Sequence, residues 1–502
     1  MGVQQGTVQE RYAKAKWEPY GVTVVAYGDQ AQVESDLVAG RLDAVFTDAA
    51  QAAIGFLKQP QGQAFELAGP IVQDPIIGPG TAIGLRKGDT ELKTALDNAF
   101  TAIKKDGTFD KIQKKYFATD ISIQPQPRGR IVREQRHPLL CATPGTQREI
   151  VSFHYGESGG RRVYIQAGLH GDEIPGIATA WYLKQHLLEL ERAGRLRAAF
   201  TLVPVANPIG LGQHWHGTHL GRFHAPSGQD FNRQFPQVGE ALVQTLRGRL
   251  TQDEAENRRL IREALDHYYQ QIRPATELAS LRHTLMRMAT QADLMLDIHC
   301  DWEALPHLYT MPHAWPEIEP LARWLGSEVQ LLAEISGGEP FDEACCEPWL
   351  TLRSHFATEY PMPRGLLPAT LELRGVRDVS AGQAQQDAGV IIAALTAGGY
   401  ISGEVKAAPP LRHAPTPLAG CEYLHAPHAG VVLHHRHPGD LVKPGEVVAE
   451  IVDPLGDKVT PLVAEHGGVL YARHWDRFAC TGALVVRLAG AIPVRAGNLL
   501  VE

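Results

Sequence analysis

Apolar residues fall into short runs closed by glycine-rich turns and into longer stretches with three-to-four-residue spacing, the alternation of an α/β chain. In the first 120 residues, 22–26, 42–46 and 81–85 read as strands. Residues 32–39 read as a helix stopped by Gly40, and 91–105 as a helix with Leu92, Ala95, Leu96, Ala99 and Ile103 on one face. Residues 121–136 are rich in proline and arginine and read as a linker or a first edge strand. Between 137 and 405 the pattern predicts a larger α/β region, with strands at 163–167, 200–205, 294–298 and 369–373 and helices at 177–190, 240–247 and 274–290. Mixed charges at 253–262 read as a solvated helix face. A Pro/Ala-rich stretch, 406–420, reads as a second linker. Beyond it, short apolar runs at 430–433, 447–451, 468–471 and 482–488, broken by glycine and proline, predict a small β-domain. Three domains are therefore expected, at 1–120, 137–405 and 421–502.

Length agrees, since 502 residues exceed what one hydrophobic core usually organises. The net charge of −8, without a basic stripe, argues against a nucleic-acid partner. No apolar run reaches the roughly 18 residues of a membrane span. The start, MGVQQGTVQERY, lacks the basic and apolar regions of a secretory signal, so a cytoplasmic location is expected, or a periplasmic one if a leader lies upstream. The six cysteines include no Cys-x-x-Cys pair and are expected to be reduced, buried or half-buried thiols. Oligomeric state is not legible, and a homo-oligomer is compatible with the chain.

Four segments carry candidate chemistry. In VYIQAGLHGDEIPG a strand ends in a glycine-rich turn that opens a helix, placing His170 and Glu173 three residues apart on the turn. An imidazole and a carboxylate are ligands a divalent metal accepts, although His-x-x-Glu alone is common. In LMLDIHCDW, His299 stands at the carboxyl end of an apolar strand, facing the crevice where α/β proteins bind ligands. Asp297, two residues earlier, can take its second ring N–H. Alone, His299 reads more simply as a satisfied, half-buried histidine. In DFNRQFP, Asn232 and Arg233 offer an amide and a guanidinium fork suited to a carboxylate, or else form a surface ion pair. In PATLELRG, Glu372 lies among apolar residues, where a carboxylate needs either structural hydrogen bonds or a proton-transfer role. The dense histidines His214, His216, His219 and His224 read as an entrance loop titrating near neutral pH rather than a second metal site. His434, His435 and His437 read as surface.

Two resemblances organise these signals. GVQQGTVQERY, SDLVAGRLDAVFTD and GTAIGLRKGDTELKTALDNAFTAIKKDGTFDKIQKKYF resemble the second half of periplasmic solute-binding proteins for basic amino acids. That likeness implies a clam-shell lobe with ligand contacts at Thr7, Gln9 and Asp48. The half carrying the arginine for the amino acid's carboxylate has no counterpart here. The segment is therefore expected to be a fused fragment without tight amino-acid binding. QAGLHGDEIPG, VPVANPIGLGQ, DFNRQFP, DLMLDIHCD and ATLELRG, in that order, resemble the succinylglutamate desuccinylase/aspartoacylase branch of zinc carboxypeptidase-like proteins. The trailing β-domain fits the same branch. APHAGVVLHHRHPGDLVKPGEVVAEI in it is similar to biotinyl/lipoyl-type repeats, with Lys458 poorly placed for a carrier, so a structural or lid role is expected.

The fold class implied is α/β: a truncated solute-binding lobe, then a zinc carboxypeptidase-like domain with a mixed sheet, then a small β-domain. The resemblance assigns Zn2+ to His170, Glu173 and His299. It gives the substrate carboxylate to Asn232 and Arg233, general-base work to Glu372 and carbonyl polarisation to Arg222, with Arg364 and Arg374 as further arginine candidates. The expected activity is zinc-dependent hydrolysis of the amide of a small N-acylated amino acid, in the setting of basic-amino-acid metabolism. An amino-acid-binding or sensor protein with an inert metallo-domain, or a peptide carboxypeptidase, are the alternatives.

Overall fold

The structure is a computed structural model, and it describes residues 1–48, 51–66, 76–77, 85–86, 89–109, 111–112, 133–157, 160–405 and 407–500. The chain divides into two compact units, Met1–Gln126 and Pro127–Glu502.

In the first unit β1 (Gly2–Gln4) pairs in parallel with β2 (Val25–Tyr27). Helix α1 (Val8–Lys16) starts at Thr7, whose Oγ1 accepts from Glu10 N. Helix α2 (Gln30–Val38) is capped by Asp29 in the same way. Helix α3 is Thr90–Lys105. The strand expected at 42–46 is reduced to one parallel bridge from Val45 to Gly2. A run that short has apolar residues enough for a strand but pairs at a single position. Most of the strand expected at 81–85 and the first twelve residues of the linker at 121–136 lie outside the described residues. Thr7 is thus occupied as a helix cap, and Asp48 Oδ1 accepts from Gln51 N.

The second unit is built on a nine-stranded mixed sheet. Its strands are β3 (Arg133–Pro138), β4 (Glu149–Tyr155), β5 (Arg161–Ala167), β6 (Ala198–Val203), β7 (Leu294–Asp301), β8 (His307–Thr310), β9 (Val329–Leu332), β10 (Leu367–Gly375) and β11 (Thr416–Pro417). The spatial order is β11-β9-β8-β10-β7-β5-β6-β4-β3. The middle strands β6, β5, β7 and β10 run parallel, and β4 and β8 run against their inner neighbours. Parallel strands are buried on both faces and read as continuous apolar runs, which is why β5 and β7 are plain in the sequence. Residues 133–138 are the outermost strand. Thr416 and Pro417, within a stretch expected to be a linker, form the opposite edge strand, a position where proline costs no interior ladder bond.

Helix α4 (Ile174–Arg192) follows β5 and buries Gly176, Thr179, Ala180, Leu183, Leu187 and Leu190, spaced to keep one stripe on the sheet. Helices α5 (Gly239–Leu246), α6 (Glu254–Gln271), α7 (Glu277–Ala289), α8 (Trp315–Leu325), α9 (Phe341–Phe356) and α10 (Ala381–Ala397) complete the layers around a core that includes Ile165, Leu202, Leu296, Ile298, Leu371 and Leu373. The last eighty residues form strands β12 (Cys421–His425), β13 (Gly430–His434), β14 (Val447–Asp453), β15 (Lys458–Val463), β16 (Gly468–Arg473) and β17 (Leu484–Ala489), folded as two small sheets around Val432, Val448, Ile451, Leu470 and Val486. This β-region is stitched to the large sheet. Glu303 and Ala304 pair with β16, and Val329, Leu331, Leu418, Val469 and Tyr471 share one apolar cluster. Among the described residues no helix is long and apolar enough to cross a membrane.

Candidate metal centre

The site is built at the carboxyl ends of β5, β7 and β10. After Ala167 the chain turns through Gly168, at φ 71°, where a Cβ would lie 2.8 Å from Ile177 Cδ1. At Gly171 a Cβ would come within 2.2 Å of Leu211 N. Only glycine at both positions lets the turn lie flat enough to present His170 and Glu173 to the neighbouring strand. Glu173 occupies the N-cap position of α4, yet its side chain caps nothing. Its Oε1 instead stands 2.8 Å from His170 Nδ1, and its Oε2 stands 2.8 Å from His299 Nδ1 and accepts from Cys300 N at 3.1 Å. His170, Glu173 and His299 are 3%, 6% and 2% exposed, and their ligand atoms lie within 4.8 Å of one another.

The outer nitrogens of both imidazoles face carboxylates. His170 Nε2 is 2.8 Å from Asp230 Oδ1. His299 Nε2 is 3.0 Å from Asp297 Oδ2, off the line of a good hydrogen bond, while Asp297 Oδ1 accepts from Gln166 Nε2 at 2.9 Å. Register explains the second contact: Asp297 and His299 are two residues apart on β7 and so share a face, and Gln166 of β5 is the partner of Asp297. With each outer nitrogen turned to an acceptor, each inner Nδ1 is left to offer a lone pair to the common centre. Two neutral imidazoles and one carboxylate, with carboxylates behind the imidazoles, are the donor set that suits zinc. Burial disfavours a positive charge here, but Asp297 and Glu173 outweigh burial and raise His299 well above the usual range. Burial likewise opposes the Glu173 charge, and His299 and His170 outweigh it and keep the carboxyl low.

Glu372 is the register partner of His299 on β10, so its side chain leaves the sheet beside the imidazole. Its Oε2 is shut from solvent without a hydrogen-bond partner, and burial followed by the Glu173 charge raises the carboxyl well above its ordinary value. Arg222 reaches in from a loop, with Nε 3.3 Å from Asp230 Oδ2, and Nη1 3.5 Å from His170 Nδ1 and 3.8 Å from Glu173 Oε1. Asn232 Oδ1 accepts from Phe341 N at 2.9 Å, and Arg233 donates from Nη1 and Nη2 to Asn232 O and Leu500 O, each at 2.8 Å. All seven of these side chains line one cavity of about 180 Å³. Arg364 and Arg374 do not line it. The first is bound to Glu317 and the His313 carbonyl, the second to Asp387.

The cavity also contains residues that motif reading passes over. Asp230, which stands behind His170 outside the cavity lining, was legible two residues before Asn232 in the same motif. Arg487 was not: it sits in an ordinary strand of the β-region and reaches the cavity only through packing, ion-paired to Asp301 with its guanidinium 4.3 Å from the Trp302 ring. The expected histidine-rich entrance loop is a two-residue-strand hairpin, with the His214 and His219 rings stacked at 4.1 Å. His224 departs from that expectation, being 9% exposed against Phe231 and hydrogen-bonded to Ser227 Oγ. His434 is likewise not a surface residue, since both its ring nitrogens are buried. Cys141 and Cys480 are exposed rather than buried, and all six cysteines are free.

Comparison with known proteins divides the chain as its structure does. Residues 159–397 match the family "Succinylglutamate desuccinylase/Aspartoacylase catalytic domain". Residues 10–119 match "Bacterial extracellular solute-binding proteins, family 3". A solved structure of a protein from Shewanella amazonensis assigned to the succinylglutamate desuccinylase/aspartoacylase family is 26% identical, with a TM-score of 0.63, over 72% of this chain and 98% of that one. One from Shewanella frigidimarina shares the fold at 23% identity and a TM-score of 0.61, over 72% of this chain and 98% of that chain. At the other end, the histidine-binding periplasmic protein of Salmonella typhimurium is 48% identical over 122 residues, covering 24% of this chain and 47% of that protein. The lysine/arginine/ornithine-binding periplasmic protein of Escherichia coli is 52% identical over 118 residues, covering 23% of this chain and 45% of that protein. The chain thus spans about half the length of the curated relatives it matches.

Proposed function

We propose that this chain, which joins a catalytic domain of the deacylating succinylglutamate desuccinylase/aspartoacylase family to part of a solute-binding protein, is a zinc-dependent hydrolase of N-acylated amino acids. The observation that carries the proposal is the buried His170, Glu173 and His299 group, with a carboxylate behind each imidazole. Those three side chains would hold the ion. When bound, zinc supplies Lewis acidity toward water and the scissile carbonyl.

The chain's own residues supply the rest. Asn232 and Arg233 bind the substrate's carboxylate and fix the amide over the end of β7. Glu372 takes a proton at its carboxylate from the attacking water and returns it to the leaving nitrogen. Its raised proton affinity would be drawn down by a cation held by His170, Glu173 and His299, which leaves its carboxylate able to accept. Arg222 places a fixed positive charge where the carbonyl oxygen becomes negative, a contribution of about 3–4 kcal/mol when such a donor is well aimed.

The test is an amine-release screen of zinc-loaded protein on N-acetyl and N-succinyl amino acids, with Glu372→Gln as control. The wild type is expected to exceed the control by about 100-fold or more on at least one substrate. Equal, slow release by both on every substrate defeats the proposal.

A further inference from the structure

Three arginines line the cavity, and two already face carboxylates. Arg222 lies beside Asp230 and Glu173, and Arg487 is paired with Asp301. Arg233 makes its bonds to backbone carbonyls, and among the described residues no carboxylate lies within ion-pairing distance of it. The cavity therefore offers one guanidinium for an incoming carboxylate.

The first turn of α9 adds two acids to the same cavity, Asp342 and Glu343. Asp342 Oδ2 accepts from Thr370 Oγ1 and its Oδ1 from Glu343 N, both at 2.9 Å. Glu343 Oε1 accepts from Ser336 N at 2.7 Å. Their partners are neutral donors, and among the described residues neither acid has a cation within ion-pairing distance. Ser336 is a second feature of the same corner. It is 2% exposed, and its Oγ lies next to Glu343 without a well-formed hydrogen bond. Burial, reinforced by Asp342, pushes Glu343 up to about 7, against the Ser336 hydroxyl and amide and, less, Arg233. Two acids brought out of water without counter-charge are costly, and a bound cation lowers that cost.

We infer that Asp342, Glu343 and Ser336 form a cation subsite. Resting on the deacylase reading, this makes the substrate an N-acylated basic amino acid. Its carboxylate goes to Asn232 and Arg233, and its side-chain ammonium to the first turn of α9. An acidic N-acyl amino acid would instead bring a second negative charge against Asp342 and Glu343, with no unmatched arginine left to receive it.

The test compares kcat/KM of the zinc-loaded full chain on Nα-acetyl-ornithine, on Nα-acetyl-norvaline, which has the same chain length without the amine, and on N-acetyl-glutamate. Ornithine is expected to lead both by about tenfold or more. In Glu343→Gln and Asp342→Asn the ornithine-to-norvaline ratio falls to within about threefold of one. Preference for norvaline or glutamate, or a ratio unchanged in both variants, overturns the subsite while leaving the deacylase standing. If no acyl amino acid is hydrolysed, the deacylase reading fails and calorimetry with free ornithine decides the subsite. Binding weakened about tenfold or more in Glu343→Gln supports it. Equal binding in both proteins, or none in the wild type, overturns it.

Discussion

At the end of β7, His299 is buried against Asp297 and Glu173. On β13 in the terminal β-region, His434 also has both ring nitrogens out of solvent, but the charges acting on it are chiefly Arg473 and Arg477, which share the one carboxylate of Glu303. The two imidazoles pay the same kind of desolvation cost and move in opposite directions. Burial is outweighed at His299, whose affinity for positive charge rises. It prevails at His434, which is pushed down to about 4, with the arginines adding to it and the His474 backbone and Glu303 pulling weakly back. What separates a cation cradle from a neutral core histidine is the carboxylates around the ring, not its depth.

Removing a cradle histidine is the strongest way to break that contrast. Wild-type protein is expected to bind about one zinc per chain, and His170→Ala or His299→Ala to lose it, with hydrolysis falling about 1,000-fold or more. Removal of zinc by a chelator should have the same effect and be reversed by adding zinc back. His434→Ala should keep its zinc. Atomic absorption on the three variants distinguishes the regions, and full zinc in His299→Ala would place the ion elsewhere.

A smaller effect is expected when the rings stay and only their carboxylates lose charge. Asp230→Asn and Asp297→Asn should each weaken zinc by about 10- to 100-fold in competition with a chelator, while the secondary-structure spectrum is unchanged. Affinity within about twofold of wild type in both variants would mean that the inner ligands alone make the cradle.

The two regions were unequally legible. His170, Glu173, His299 and Glu372 stood out as candidates because polar residues at or just beyond the end of an unbroken apolar strand are conspicuous, and the order of the motifs, by resemblance, joined them into one site. The DFNRQFP motif marked Asn232 and Arg233 only through that resemblance, since an isolated Asn-Arg pair reads more simply as a surface ion pair. Helix α9 was missed. Pro348 interrupts a stretch that buries Ala344, Cys345, Trp349 and Leu352 on one face, and an internal proline argues against a helix. Asp342 and Glu343 went unseen with it. His434 was misread because it stands among His435, His437 and Arg436. A strand turns alternate residues inward, and which ones turn inward in a weakly apolar run depends on the partner sheet.

The least disruptive probe of the comparison is the titration of His434 itself. Its folded-state value near 4 lies below the roughly 6.5 of an unfolded chain, so between those values the unfolded state binds a proton that the folded state excludes. Stability linked to this histidine is therefore complete above about pH 6.5 and is lost as pH falls toward 4. Because the side chain is partly screened by solvent, the loss is on the order of 1–2 kcal/mol rather than the larger figure the shift alone implies. Histidine-labelled NMR, with the resonance assigned by its absence in His434→Phe, should place the midpoint near 4. The difference in unfolding free energy between wild type and His434→Phe should then shift against the wild type across that window. A midpoint near 6.5 would show that the two arginines and the surrounding β-region leave His434 as free to charge as a surface imidazole, and the contrast with His299 would then rest on the cradle alone.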